Sequence, residues 1–128
     1  MISVSTYLIY NKRARLWAIL WTLLIFFLCF LPGNELPEVD IPFIDKWTHV
    51  ILFAVFSLLW LCAGTTNNIR YIAAILISSI YLGWLVEYVQ GHYIPGRSQD
   101  MMDTIADTCG AFLGIILFIT IYKPQTAA

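Results

Sequence analysis

Charge is what this chain has least of. Lysine, arginine, aspartate and glutamate make up 12% of its 128 residues, about half of the roughly 25% that soluble domains carry. That shortage excludes an ordinary water-facing surface. No basic patch exists beyond a short N-terminal cluster, which sets nucleic acid aside as a partner. Its three cysteines, Cys29, Cys62 and Cys109, fall singly inside apolar runs without paired spacing. A disulfide framework or a cysteine metal motif is excluded, and the thiols read as buried small hydrophobes. No small-x-small cleavage site follows the first apolar run, which ends Leu31-Pro32-Gly33-Asn34-Glu35. The run is therefore read as an uncleaved helix, not a signal peptide.

What fills the chain instead is apolar, 60% of all residues. Four runs stand out, at residues 16–31, 47–63, 71–89 and 105–122. A membrane-crossing helix needs about 20 apolar residues, with a range from roughly 17. A few flanking residues bring each run into that range. Inside lipid each backbone group must find its partner within the segment, so the runs are expected as helices. The expected architecture is all-α: one polytopic membrane domain over residues 1–128, with four transmembrane helices at about 14–32, 45–63, 70–90 and 103–122.

Lys12, Arg13 and Arg15 precede the first run, Arg70 lies between the second and third, and Lys123 follows the fourth. Basic loops stay cytoplasmic, so both termini are expected there and the segments 32–46 and 90–104 outside. All eight acids, Glu35, Glu38, Asp40, Asp45, Glu87, Asp100, Asp103 and Asp107, fall in these outer segments or at the adjoining helix ends. Glu35, Glu38 and Asp40 sit among Pro32, Pro37 and Pro42 and read as solvated loop residues.

The other ionisable residues form a pattern. Asp45 and His49 are four apart and share a helical face, with Lys46 close to it. The bland account makes Asp45 a helix-start carboxylate and His49 a packed ring. Glu87 and Gln90 share a face near the C-terminal end of the third helix, where the dipole disfavours an acid. Glu87 there needs a cation, a donor or its own proton. The turn Pro95-Gly96 presents Arg97, suited to a carboxylate or a phosphate; His92 reads as a wet loop residue. Asp103, Asp107, Gly110 and Gly114 make one stripe, acidic above and small below, which faces the acids toward the bundle.

Because the second and fourth helices begin where the third ends, Asp45, His49, Glu87, Gln90, Arg97, Asp103 and Asp107 can meet at one depth. Lys46 and Arg97 supply only two positive charges, so a bound cation, shared protons or a wet cleft is needed. The candidate catalytic residues are Asp45, His49, Glu87 and Asp103, and the candidate ligand-binding residues Lys46, Gln90, Arg97 and Asp107. A divalent metal ion is a candidate cofactor, with His49, Glu87, Asp103 and Asp107 as candidate ligands.

At these residues the chain resembles the VanZ-like family of small bacterial membrane proteins. The matching elements are Asp45-Lys46-x-x-His49, Glu87-x-x-Gln90, Pro95-Gly96-Arg97, and Asp103 followed by Gly110-Ala111 and Gly114. Where that family usually carries asparagine four residues after the last aspartate, this chain has Asp107. The resemblance implies the fold, a bacterial cytoplasmic membrane and an envelope role. The family's namesake is associated with low-level resistance to the glycopeptide teicoplanin.

Two readings of function follow. In one, the outward cluster binds or modifies the head group of a membrane lipid or lipid-linked envelope precursor. Lys46 and Arg97 hold a phosphate, and His49 with Asp45 or Glu87 acts as base or metal ligand. In the other, the cluster is structural and the protein modulates the envelope through a partner. A transporter is the weakest fit, since the inner helix halves hold no charged residue or histidine; a homo-oligomer is one way to build such a path.

Overall fold

The computed structural model describes residues 13–64 and 66–122. Lys12 and Lys123, two of the residues used to orient the chain, lie outside this range. The described residues form four α-helices and no strand: α1 (Ala14–Cys29), α2 (Ile44–Gly64), α3 (Ile69–Tyr93) and α4 (Met101–Ile121). The last three are long and apolar enough to cross a membrane. At 1.5 Å per residue they reach about 31, 37 and 31 Å, against a hydrocarbon thickness of about 30 Å. With 16 residues, α1 reaches only about 24 Å.

Two boundaries depart from expectation. α1 stops at Cys29 and not at 32, because Pro32 has no N–H to continue the ladder. α3 runs on to Tyr93, so Gly91 and His92 are helical and not part of a loop. His92 stacks on Tyr88 with ring centroids 4.2 Å apart, one turn back along an exposed aromatic face.

The core lies along two seams. At one end Ala14, Leu61, Cys62, Ile115 and Phe118 pack together. Toward the other, Ile25, Cys29, Leu52, Phe53, Phe56 and Val86 do. α2 against α4 is the most extensive pairing, and Gly110 and Gly114 make it possible. A Cβ on Gly110 would overlap the Val50 carbonyl, and one on Gly114 the Ala54 carbonyl and Ser57 Oγ. Ser57 Oγ uses that closeness to donate to the Ala111 carbonyl at 3.0 Å. The small stripe read from sequence thus faces α2.

Large apolar side chains cover the outside, among them Leu23, Phe27, Ile51, Ile77, Leu113 and Ile116. This surface suits lipid better than water. Two indole N–H groups within the helices are satisfied across the bundle: Trp21 Nε1 donates to the Leu52 carbonyl at 2.8 Å, and Trp60 Nε1 to Thr22 Oγ1 at 3.1 Å. The cysteines are unpaired; Cys29 and Cys62 are buried as expected, whereas Cys109 is exposed on the apolar face of α4.

Candidate functional site

The starts of α2 and α4 and the ends of α1 and α3 gather at one end of the bundle, and with them the eight acids, His49, Lys46 and Arg97. Two loops tie this end shut: the Gly33 N–H donates to the Pro95 carbonyl at 2.9 Å. Gly96 closes that turn in the left-handed region at φ 73, where an L side chain is strained.

The centre is His49, whose side chain is 4% exposed. Its Nδ1 lies 2.7 Å from Asp107 Oδ1, and Asp107 is fully buried. A carboxylate only accepts, so the bond puts hydrogen on Nδ1 and turns Nε2 toward Asp103 Oδ2 at 3.6 Å and Asp45 Oδ1 at 3.9 Å. Neither distance is a hydrogen bond. Gly83 of α3 makes room for Asp107, because a Cβ there would stand 2.7 Å from Oδ2.

Lys46 forms a second centre. Its Nζ donates to Asp103 Oδ1 at 2.5 Å and to Asp100 Oδ2 at 2.6 Å, and Asp45 Oδ2 lies at 3.5 Å. The lysine therefore clasps acids of α4 and is not free for a phosphate. Asp100 was not among the residues singled out for the site, yet it joins three elements. It caps α4 by accepting from the Met102 N–H at 2.9 Å, its own N–H donates to Glu87 Oε2 at 2.9 Å, and its other oxygen takes Lys46. An aspartate just before an apolar run with an acid three residues on is a helix-start signal, and it could have flagged Asp100.

Glu87 obtains the donor that its place required, from a backbone N–H and not from a cation. Its Oε1, with Asp107 Oδ2 and Thr104 Oγ1, is buried without a hydrogen-bond partner. Gln90 and Arg97 are engaged by backbone carbonyls. Gln90 Nε2 donates to the Cys29 carbonyl at 2.7 Å, and Arg97 donates to the carbonyls of Leu31 and Leu28 at 3.1 and 3.3 Å. The end of α1 leaves carbonyls without intrahelical partners, and these two side chains satisfy them. Glu35, Glu38 and Asp40 are exposed, as solvated loop acids should be.

Of the candidate metal ligands, His49 and Asp103 come together with Asp45, their donor atoms within 4.8 Å of one another. Glu87 and Asp107 do not join them, since one anchors Asp100 and the other orients His49. Two carboxylates and an imidazole suit a divalent ion, and a carboxylate on the far ring nitrogen is a usual support for a metal-bound histidine. Lys46 already occupies Asp103 Oδ1, leaving Oδ2 for such an ion.

Asp100 lies outside the long helices, and its carboxyl is held below the ordinary 3.8 by the Lys46 hydrogen bond and then by the Met102 N–H. A depressed acid contributes stability above its unfolded pKa, and this is lost as pH falls through the lower folded value. Unfolding followed between about pH 5 and pH 2 is thus expected to show a loss on acidification that Asp100→Asn flattens. The effect is modest, because the side chain is 41% exposed and salt screens the pair. A variant with the same acid slope as the wild type would contradict the assignment.

No protein-family model, curated protein or solved structure matches the chain. Its class rests on fold and site: an all-α chain with three helices able to cross a membrane, and acidic residues collected at one end, is consistent with a membrane protein.

Proposed function

We propose that the chain is a four-span protein of the bacterial cytoplasmic membrane that binds or modifies a lipid or lipid-linked envelope head group at its outer face. The observation that carries this reading is the His49 dyad: a buried imidazole oriented by Asp107, with Nε2 directed at Asp45 and Asp103 beside a cavity. Orienting a ring in this way prepares one nitrogen for a proton, a ligand or a metal ion. The described cations Arg13, Arg15 and Arg70 sit at the helix ends opposite the cluster, which supports cytoplasmic termini and an outward site. The short α1 is accommodated by its flanks or by local thinning of the bilayer. The VanZ-like pattern of Asp45, His49, Glu87, Gln90, Arg97 and Asp103 supports an envelope role, and through the family's namesake a link to glycopeptide resistance.

Native mass spectrometry of the purified protein beside His49→Ala tests the reading. A phospholipid, envelope precursor or divalent metal is expected on the wild type and absent from the folded variant. Bare protein in both samples would end it.

One set of contacts favours the second reading, a structural cluster in a partner-binding protein. Gln90 and Arg97 grip α1, and Glu87 anchors the start of α4. On that account Glu87→Gln lowers melting and phenotype together. Under the head-group reading the amide still accepts from the Asp100 N–H, so melting holds within about 1 kcal/mol while function falls.

A further inference from the structure

Two cavities meet at the polar end. One, of about 320 Å³, is walled mainly by apolar side chains, Leu28, Leu36, Val39, Ile44 and Leu52 among them. The other, of about 230 Å³, is polar and bounded by Ser98, Asp100 and Asp103. Leu36, Asp45, Gln90 and Arg97 line both, so the two spaces share a wall. His49 borders the apolar space and Asp103 the polar one. A ligand filling both must be apolar at one end and polar at the other.

The polar groups at the junction say what that end carries. His49 Nε2 makes no hydrogen bond although its side chain is buried; the nearest carboxylate oxygens are 3.6 and 3.9 Å away. In its neutral form, with Nδ1 donating to Asp107, the ring offers a lone pair at Nε2. Asp45 and Asp103 also only accept. Three acceptors thus lie within 4.8 Å of one another. Lys46 is engaged by Asp100 and Asp103, and Arg97 by the carbonyls of Leu28 and Leu31. A phosphate would set further acceptors against this trio, so the trio itself calls for a donor instead. A primary ammonium has three N–H donors for three acceptors, and its charge offsets the surplus of acids.

We propose that the joined cavities take one amphiphile with a primary amine, its hydrocarbon end among Leu28, Leu36 and Leu52 and its ammonium between His49 Nε2, Asp45 and Asp103. The proposal rests on the head-group reading and names the ligand class. It assigns Asp45 a use that its weak internal pairing leaves open: the side chain is 53% exposed and its nearest cation is 3.5 Å away.

The test uses the full chain in nanodiscs of phosphatidylcholine, a lipid without a primary amine. Dodecylamine, dodecyltrimethylammonium, dodecyl phosphate and Mn²⁺ are compared by the shift each gives in the unfolding temperature. Dodecylamine is expected to stabilise, while the trimethyl analogue, charged but without N–H, and the phosphate do not. Asp45→Asn, at an exposed position that folding tolerates, is expected to weaken the amine at least tenfold. Leu36→Trp, which fills the shared apolar wall, is expected to weaken dodecylamine more than butylamine. Equal shifts from all three amphiphiles, a preference for phosphate, or a shift from Mn²⁺ alone would each overturn the ammonium assignment. If a lipid is nevertheless lost from His49→Ala in native mass spectrometry, only this proposal fails. If that experiment also finds bare protein, the head-group reading fails with it.

Discussion

Replacing Gly110 with alanine is expected to lower stability by about 1–3 kcal/mol, the range for overpacking a well-filled core. The sign makes this informative. Within a helix, alanine is favoured over glycine by about 1 kcal/mol, so an open site would gain from the change. Here the added methyl would overlap the Val50 carbonyl, a backbone atom that moves only if α2 moves. Separating the helices also strains the Ser57 bond to the Ala111 carbonyl and the reach from His49 to Asp107. Gly114→Ala should behave alike, since its methyl would meet the Ala54 carbonyl and Ser57 Oγ. Cys109→Ala, on the exposed side of the same helix, is the control. Unfolding in mixed micelles decides: if Gly110→Ala is as stable as the wild type or more so, the tight α2–α4 seam is wrong.

Asp107→Leu is expected to have the largest effect at the site. It leaves His49 Nδ1 buried without a partner and frees the ring to turn. Leaving a buried donor without its acceptor costs about 1–3 kcal/mol, and losing the support of an oriented histidine costs about 10–100-fold in metal affinity or activity. Asp107→Asn is gentler, because its amide oxygen still accepts from Nδ1 while the negative charge goes. The pair of variants thus separates geometry from charge. Adding His49→Ala to Asp107→Leu removes both polar partners, so stability should partly return. Retention of the co-purifying ligand should not return. If ligand retention instead followed melting through all these variants, His49 would be structural and the head-group reading would lose its main support.

Much of this was visible one residue at a time. Lipid-compatible helices follow from long apolar runs, because a backbone inside hydrocarbon has no other way to satisfy its groups. The spacing from Asp45 to His49 put both on one face of α2, and that from Asp107 to Gly110 and Gly114 put the acid above a small stripe. Both relations are local, set by 3.6 residues per turn. The gathering of acids at one end followed from where they stand relative to the apolar runs. Where the sequence reading fell short, the deciding contact crossed between elements. Arg97 and Gln90 read as ligand donors, and the end of α1 lies against them, so its carbonyls take part of their N–H groups. Asp100 carried no assigned role along the sequence; the end of α3 brings Glu87 to its N–H and α2 brings Lys46 to its carboxylate. Gly83 carried no signal at all, since its use is to leave space for a side chain on another helix.

The chain by itself thus determined the helices, their apolar surface and the end of the bundle at which the acids collect, because these depend on neighbours along the sequence. Only the tertiary structure decided which acid orients His49, which acids hold Lys46, and which side chains close α1 rather than face a ligand. Those assignments depend on hydrogen-bond reach between helices, a matter of a few ångströms that no spacing along one helix encodes.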